Sequence, residues 1–455
     1  MFRIVAMRGF LTSSIGVTCA AMLVLPLTPL TPPTASAAAA VTAAVAAAHP
    51  GGTRSLPLVP LSRERRLAAA PEQGLYRAGG ERFSLLGVVW DDPGTELHGR
   101  VQVRTRSAAT RTWSGWQDVG TQAAGHGPDP GSAERTSRRV RGATAPLWVG
   151  TSDGVDVRVR ATSAAAPGRR TSAGPHESLP SGLRLELVDP GDGTPPPGAP
   201  ADVPPAGAAT GAARAALAAN ADLTGFGALE IPELDRRATE QELARLRGPV
   251  SATPYIGPRP RIVTRRGWGA DESLREAGFG YTKKVKAVFL HHTGSGNQYD
   301  CSQAPSVIRS IYRYHVASMG WRDIGYDFLV DKCGTIYEGR AGGVAKAVLG
   351  AHTLGFNGDS TGIAVIGTFE TAKPPGAVVT AIARLTAWKL GFYGGDPRGR
   401  TYLTSAGGNL YPEGKNVRLN VISGHRDGFA TECPGTSLYA SLGTARSRAA
   451  RYQGR

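Results

Sequence analysis

The 455-residue chain is short of cysteine, aromatic side chains, acidic charge and long apolar runs, and each shortage excludes something. Four cysteines, Cys19, Cys301, Cys333 and Cys433, cannot staple a chain of this length into a disulfide-dense scaffold, so folding rests on ordinary hydrophobic cores. Beyond an N-terminal stretch at residues 10–30, no run of about eighteen apolar residues occurs, which excludes a protein with several membrane-spanning helices. Neither C-x-x-C nor H-E-x-x-H is present, so zinc-finger and zincin readings fail. Glycine (60) and proline (33) are abundant without a G-x-y period, which excludes collagen and implies long irregular segments. Against 36 Asp+Glu stand 52 Lys+Arg, a net charge of +16. That excess attracts polyanions such as nucleic acid, anionic lipid or anionic cell-wall polymers, and charge alone does not choose among them. No motif that reads nucleic acid accompanies it, so nucleic acid is not the expected partner.

Arg3 and Arg8, the apolar run and then Ala35-Ser36-Ala37 have the layout of a secretory signal peptide over residues 1–37. Pro26 and Pro29 interrupt the run, so cleavage near Ala37 is expected in preference to anchoring, and Cys19 leaves with the signal. A secreted or wall-associated protein with no stable membrane insertion follows. Residues 38–75 are Ala/Pro-rich and read as flexible. Over 76–190, short segments at 83–90, 101–104, 147–149, 155–159 and 183–187 alternate apolar with polar between Gly, Pro and Asp clusters, which predicts an all-β, sandwich-like module. Trp113 and Trp116 within it suit either stacking on sugar rings or a place in the core. Residues 191–260 read as a Pro/Ala/Gly-rich linker with one helix-compatible piece at 231–246. From 261 to 455, strand and helix patterns alternate, which predicts an α/β domain.

The chemistry is concentrated in that last domain. Residues 285–290 form a β-rich run that delivers His291 and His292 at its end. A second apolar run, 420–422, leads into His425, and Cys433 follows eight positions later. Of nine histidines, His291 and His425 are the informative ones, and His315 lies on an amphipathic helix face as a packing residue. Two imidazoles and a thiolate, with a fourth position open to water, suit catalytic zinc. Spacing alone is a weak signal, because widely separated histidines and cysteines also occur by chance in exported proteins.

Six ordered blocks carry a resemblance. Gly267-Trp-Gly-Ala270, Phe289-Leu-His-His-Thr293, Gly320-Trp-Arg-Asp-Ile-Gly-Tyr-Asp-Phe328, Ile336-Tyr-Glu-Gly-Arg340, Gly350-Ala-His-Thr353 and Gly424-His-Arg-Asp427 with Thr431-Glu-Cys-Pro-Gly435 resemble the peptidoglycan recognition protein and type-2 amidase family, over residues 261 to about 440. The β module and linker more faintly resemble exported actinobacterial members. The resemblance implies a mixed central sheet flanked by helices and an N-acetylmuramoyl-L-alanine amidase. Such an enzyme uses Zn2+ to cut between the lactyl group of muramic acid and the first alanine of the stem peptide.

Carried over position by position, the metal ligands are His291, His425 and Cys433. Tyr326 matches the catalytic tyrosine, and its phenol could hydrogen-bond the attacking water or the developing oxyanion. Thr431 stands where the phage-lysozyme branch has a lysine, as in the animal branch. His352, Asn357 and, less directly, Arg340 match positions lining the substrate groove. Binding-only relatives lack the cysteine ligand, so Cys433 favours turnover over a non-catalytic peptidoglycan-binding protein. With Cys19 removed and Cys433 on metal, Cys301 and Cys333 are left to form a disulfide in an oxidising compartment.

Overall fold

The computed structural model describes residues 49–61, 71–162 apart from 122, 124 and 138, then 178–193, 211–248 and 255–455. The expected signal peptide, with Cys19, lies outside them. Among the described residues no helix is long and apolar enough to cross a membrane.

The first module is antiparallel and built from eight strands: β1 (Gly52–Pro57), β2 (Val59–Pro60), β3 (Glu72–Trp90), β4 (Gly99–Ser107), β5 (Gln117–Val119), β6 (Gly142–Ala143), β7 (Leu147–Ala161) and β8 (Arg184–Asp189). The main path runs β1-β8-β3-β7-β4-β5. Period-two alternation sends Val101 and Val103 of β4 inward against Val155, Val157 and Val159 of β7, all nearly solvent-free. The expectation of a flexible 38–75 gives way at β1, which pairs with β8 from Gly52↔Asp189 to Pro57↔Arg184 and so satisfies its backbone in the sheet.

The second module contains α1 (Gly211–Ala218), β9 (Glu230–Ile231), α2 (Arg236–Arg247), β10 (Ile262–Val263), β11 (Ala287–His292), α3 (Ala304–Arg313), β12 (Phe328–Val330), β13 (Ile336–Glu338), β14 (Ser360–Val365), α4 (Gly376–Gly391), β15 (Arg400–Thr404), β16 (Asn416–Asn420), β17 (Ile422–Gly424), α5 (Thr436–Ala440) and α6 (Leu442–Gln453). Its main sheet runs β17-β11-β14-β12-β13-β10-β9 and is mixed. Strand β11 lies parallel to both β14 and β17, whereas β12 and β13 are antiparallel. Part of the 191–260 stretch read as linker is built into this module. Ile231 of β9 pairs with β10, and Asp235 caps α2 by accepting from the Ala238 N–H.

One face of the sheet packs on α4 and α6 around Trp388, Leu385 and Ala449. The other face packs on α3, and its core continues into the β module: Leu85, Val89, Trp148 and Val188 join Ile308, Ile311, Tyr314 and Trp321 in one cluster. Gly87 lets β3 approach this closely, because a Cβ there would sit 2.2 Å from the Tyr314 hydroxyl. Tyr314 in turn donates to the Thr144 carbonyl at 3.2 Å.

A candidate metal centre at the strand ends

Parallel strands carry their C-terminal ends to one side of a sheet, where ligands bind in open α/β folds. The β11/β17 register sets Leu290 against Gly424, so His291 and His425 emerge side by side with ring centroids 4.6 Å apart. Cys433, in the turn before α5, closes on them, its Sγ 3.8 Å from His291 Nδ1. A fourth donor arrives from the other module. His126, on the long connection after β5, places Nε2 3.7 Å from Cys433 Sγ. The ligand atoms of His126, His291, His425 and Cys433 all lie within 4.8 Å of one another.

The surroundings aim these atoms inward. His425 Nε2 donates to the Gly125 carbonyl at 2.9 Å, while its Nδ1 is buried without a partner. His291 Nε2 lies 3.3 Å from both His352 Nδ1 and Thr353 Oγ1, leaving Nδ1 towards Cys433. An outer partner that fixes ring and tautomer is the usual support of a ligating imidazole. Burial, and then the neighbouring imidazoles His425 and His126, hold His291 well below its ordinary pKa; burial lowers His425 likewise. Burial, with His292 beside it, brings His126 down to about 3. Burial pushes the Cys433 thiol up. Neutral imidazoles around a thiol, one nitrogen orphaned, form a donor set that fits a soft-to-borderline dication such as zinc.

The other expected residues divide into two groups. Tyr326 is buried beside the cluster, its ring 5.6 Å from His291 and 5.9 Å from His126, and it lines a cavity of about 660 Å³ together with Cys433 and His126. Thr431 accepts from the Cys433 N–H at 3.3 Å. His292 turns from the cluster towards the Phe369 N–H, and His315 packs on Trp321 while its Nδ1 accepts from Gly325. The three residues expected in the substrate groove are covered. His352 is solvent-free behind His291, Asn357 is 1% exposed and Arg340 is 8% exposed, paired with Glu134.

Beside the three expected donors, where the sequence suggested a position open to water, stands the His126 imidazole. Sequence reasoning passed over that histidine because Gly125-His126-Gly127-Pro128 carries no strand or helix pattern. A histidine between glycines in a loop too long for a hairpin was the available signal. The disulfide expected between Cys301 and Cys333 is present and ties the segment before α3 to the turn between β12 and β13.

Fold and cluster together define a mixed α/β domain with a buried histidine–cysteine site at its strand ends. The family described as N-acetylmuramoyl-L-alanine amidase matches residues 281–436, and the Rv3811 N-terminal galactose-binding domain-like family matches 34–178. Peptidoglycan-recognition protein SC2 of Drosophila simulans is 30% identical over 186 residues, 40% of this chain and 85% of that protein. The human N-acetylmuramoyl-L-alanine amidase is 30% identical over 195 residues, 41% of this chain and 28% of that protein. Among solved structures, Drosophila PGRP-LB wild-type is 28% identical, with a TM-score of 0.32 over 40% of this chain and 92% of that one. Through its C-terminal domain the chain belongs to the family of peptidoglycan-recognition proteins and N-acetylmuramoyl-L-alanine amidases.

Proposed function

We propose that the protein hydrolyses the amide between the lactyl group of N-acetylmuramic acid and the L-alanine of peptidoglycan stem peptides, using zinc held by His291, His425 and Cys433. The observation that carries this reading is the convergence of those three donors around the orphaned His425 Nδ1. When bound there, zinc would polarise the scissile carbonyl and lower the pKa of water. The chain supplies the rest. His352 and Thr353 hold the His291 ring. Tyr326, whose phenol burial keeps protonated, is placed to donate a hydrogen bond to the oxyanion as it develops. The Thr431 hydroxyl braces the backbone that presents Cys433. Export by residues 1–37 and retention on anionic wall polymers through the net positive charge belong to the same reading.

Purified protein incubated with muropeptides, with and without a chelator, should release free stem peptides detectable by mass only when metal is present. Cys433→Ala should abolish release while keeping the fold, and full activity in that variant would eliminate the assignment. Tyr326→Phe should bind zinc normally and turn over slower by about 10²-fold or more, the usual cost of one oxyanion donor. A second reading, peptidoglycan binding without turnover, is favoured by one observation: with His126 the cluster has four protein donors, the number of a closed structural zinc site.

A further inference from the structure

We propose that the connection at residues 125–135 of the β module is a built-in cap on the C-terminal site: His126 completes a four-ligand metal centre, and the same segment covers Asn357 and Arg340, so the chain as folded is a latent form. This rests on the zinc-amidase reading and reconciles it with the fourth donor.

The cap touches the domain at successive points along its length. The Gly125 carbonyl accepts from both His425 Nε2 and the Leu354 N–H, each at 2.9 Å. A side chain at Gly125 would prevent this approach, since a Cβ would lie 2.5 Å from Phe429 and 2.9 Å from His425 Nε2. One residue on, the His126 imidazole enters the cluster. The Gly127 carbonyl accepts from Asn357 Nδ2 at 2.9 Å, and Asp129 Oδ1 accepts from Asn357 Nδ2 and the Gly355 N–H, both at 2.7 Å. Glu134 then grips Arg340 through two contacts of 2.9 Å and accepts the Arg322 N–H at 3.1 Å. A metal with three protein ligands keeps a position for substrate or water, whereas one with four does not. The segment therefore denies both the open coordination position and the polar residues that the family resemblance gives to the substrate. Turnover requires it to leave.

Zinc K-edge X-ray absorption on the zinc-loaded full chain tests this without reference to activity. The wild type should show three imidazoles and one sulfur. His126→Ala should show two imidazoles, one sulfur and an oxygen. Loss of an outer partner already costs about 10–100-fold in metal affinity, so zinc should bind His126→Ala at least that much more weakly. Gly125→Val, which keeps His126 but blocks the approach to Phe429 and His425, should give the same change in ligation and guards against misreading a folding defect. Muropeptide cleavage should rise in both variants, about tenfold or more if the closed form outnumbers the open one by that ratio. Two imidazoles, one sulfur and an oxygen in the wild type would overturn the cap and leave the amidase reading standing. Wild-type zinc affinity in Cys433→Ala would instead remove the metal site itself, and the cap with it.

Discussion

Removing the charge of Glu134 should loosen the two modules at one defined place. Its carboxylate and the Arg340 guanidinium meet through two parallel bonds of 2.9 Å, with side chains only 9% and 8% exposed, so solvent screening hardly weakens the pair. Breaking one side of a buried pair costs roughly 3–5 kcal/mol because the other charge is left uncompensated. In Glu134→Gln the guanidinium still donates to the carbonyls of Ile324 at 2.9 Å, Leu349 at 3.2 Å and Asp323 at 3.4 Å, which places the loss near 3 kcal/mol or about 150-fold in the docking equilibrium. Arg340→Met strands a carboxylate whose other bond is to the Arg322 N–H, so its loss should approach about 5 kcal/mol. The double variant should then lose less than the sum, by about 1–3 kcal/mol. Urea titration followed by tryptophan fluorescence reports this locally, since a Cβ at Gly127 would lie 3.5 Å from Trp321. Additive losses, or a Glu134→Gln variant within about 0.5 kcal/mol of wild type, would refute the assignment of coupling to this pair.

The same contact gives a pH dependence. Burial opposes the Glu134 carboxylate, but the charge and hydrogen bonds of Arg340, with the N–H and charge of Arg322, outweigh it and hold the group below its usual 4.5. A depressed folded pKa gives stability that is complete above about 4.5 and lost as pH falls through the folded value. Asp323 and Asp327 also face Arg340, so the comparison should be made between wild type and Glu134→Gln over pH 7 to 3, and parallel profiles would count against the contact. The Cys301–Cys333 bridge closes a separation of 32 residues. In the chain-entropy account its replacement by two alanines should cost about 3–4 kcal/mol, measurable as a lower urea midpoint with a steeper slope as the denatured chain expands. An unchanged midpoint would mean that the denatured chain is not expanded by losing the link.

Local pattern made much of this protein readable before folding. The apolar runs at 285–290 and 420–422 had to become buried strands, and they lie side by side in parallel within the sheet as β11 and β17. His291, His425 and Cys433 were legible as a donor set because two of them end such strands and the third follows a short turn. His126 was not, because its relevance depends on a tertiary approach of some 165 residues in sequence to His291, and no local period encodes that. The burial of Asn357 and Arg340 was hidden for the same reason: what covers them is a segment of another module, and their own neighbours along the chain say nothing of it. Strand β1 was lost to composition, since Gly and Pro at both ends mask a strand defined by its partner β8.

The distribution of apolar contact decides which part of the molecule can open. The β module as a whole is fastened by a core it shares with α3: Leu85, Val89 and Trp148 pack among Ile308, Ile311 and Tyr314, and separating them would expose side chains that are now almost solvent-free. At about 25 cal/mol per Å² of apolar surface, that separation is an unfolding-scale event. Polar bonds deepen the attachment, with Arg309 donating to the carbonyls of Pro190 at 3.2 Å and Gly191 at 3.1 Å, and Ser318 donating to Glu186 at 2.9 Å. Residues 125–135, by contrast, contain no large apolar side chain, and they hold the C-terminal domain through polar groups: a ring, two carboxylates and two carbonyls. Each such contact has a net worth of only about 0.5–3 kcal/mol, because water offers an alternative partner on release. Local opening of that segment therefore requires far less free energy than separation of the modules, and a ligand supplying its own carboxylates to Arg340 and Asn357 lowers the requirement further. A cap held by polar contacts on a body held by apolar ones is therefore suited to release by competition, with the β module staying docked throughout.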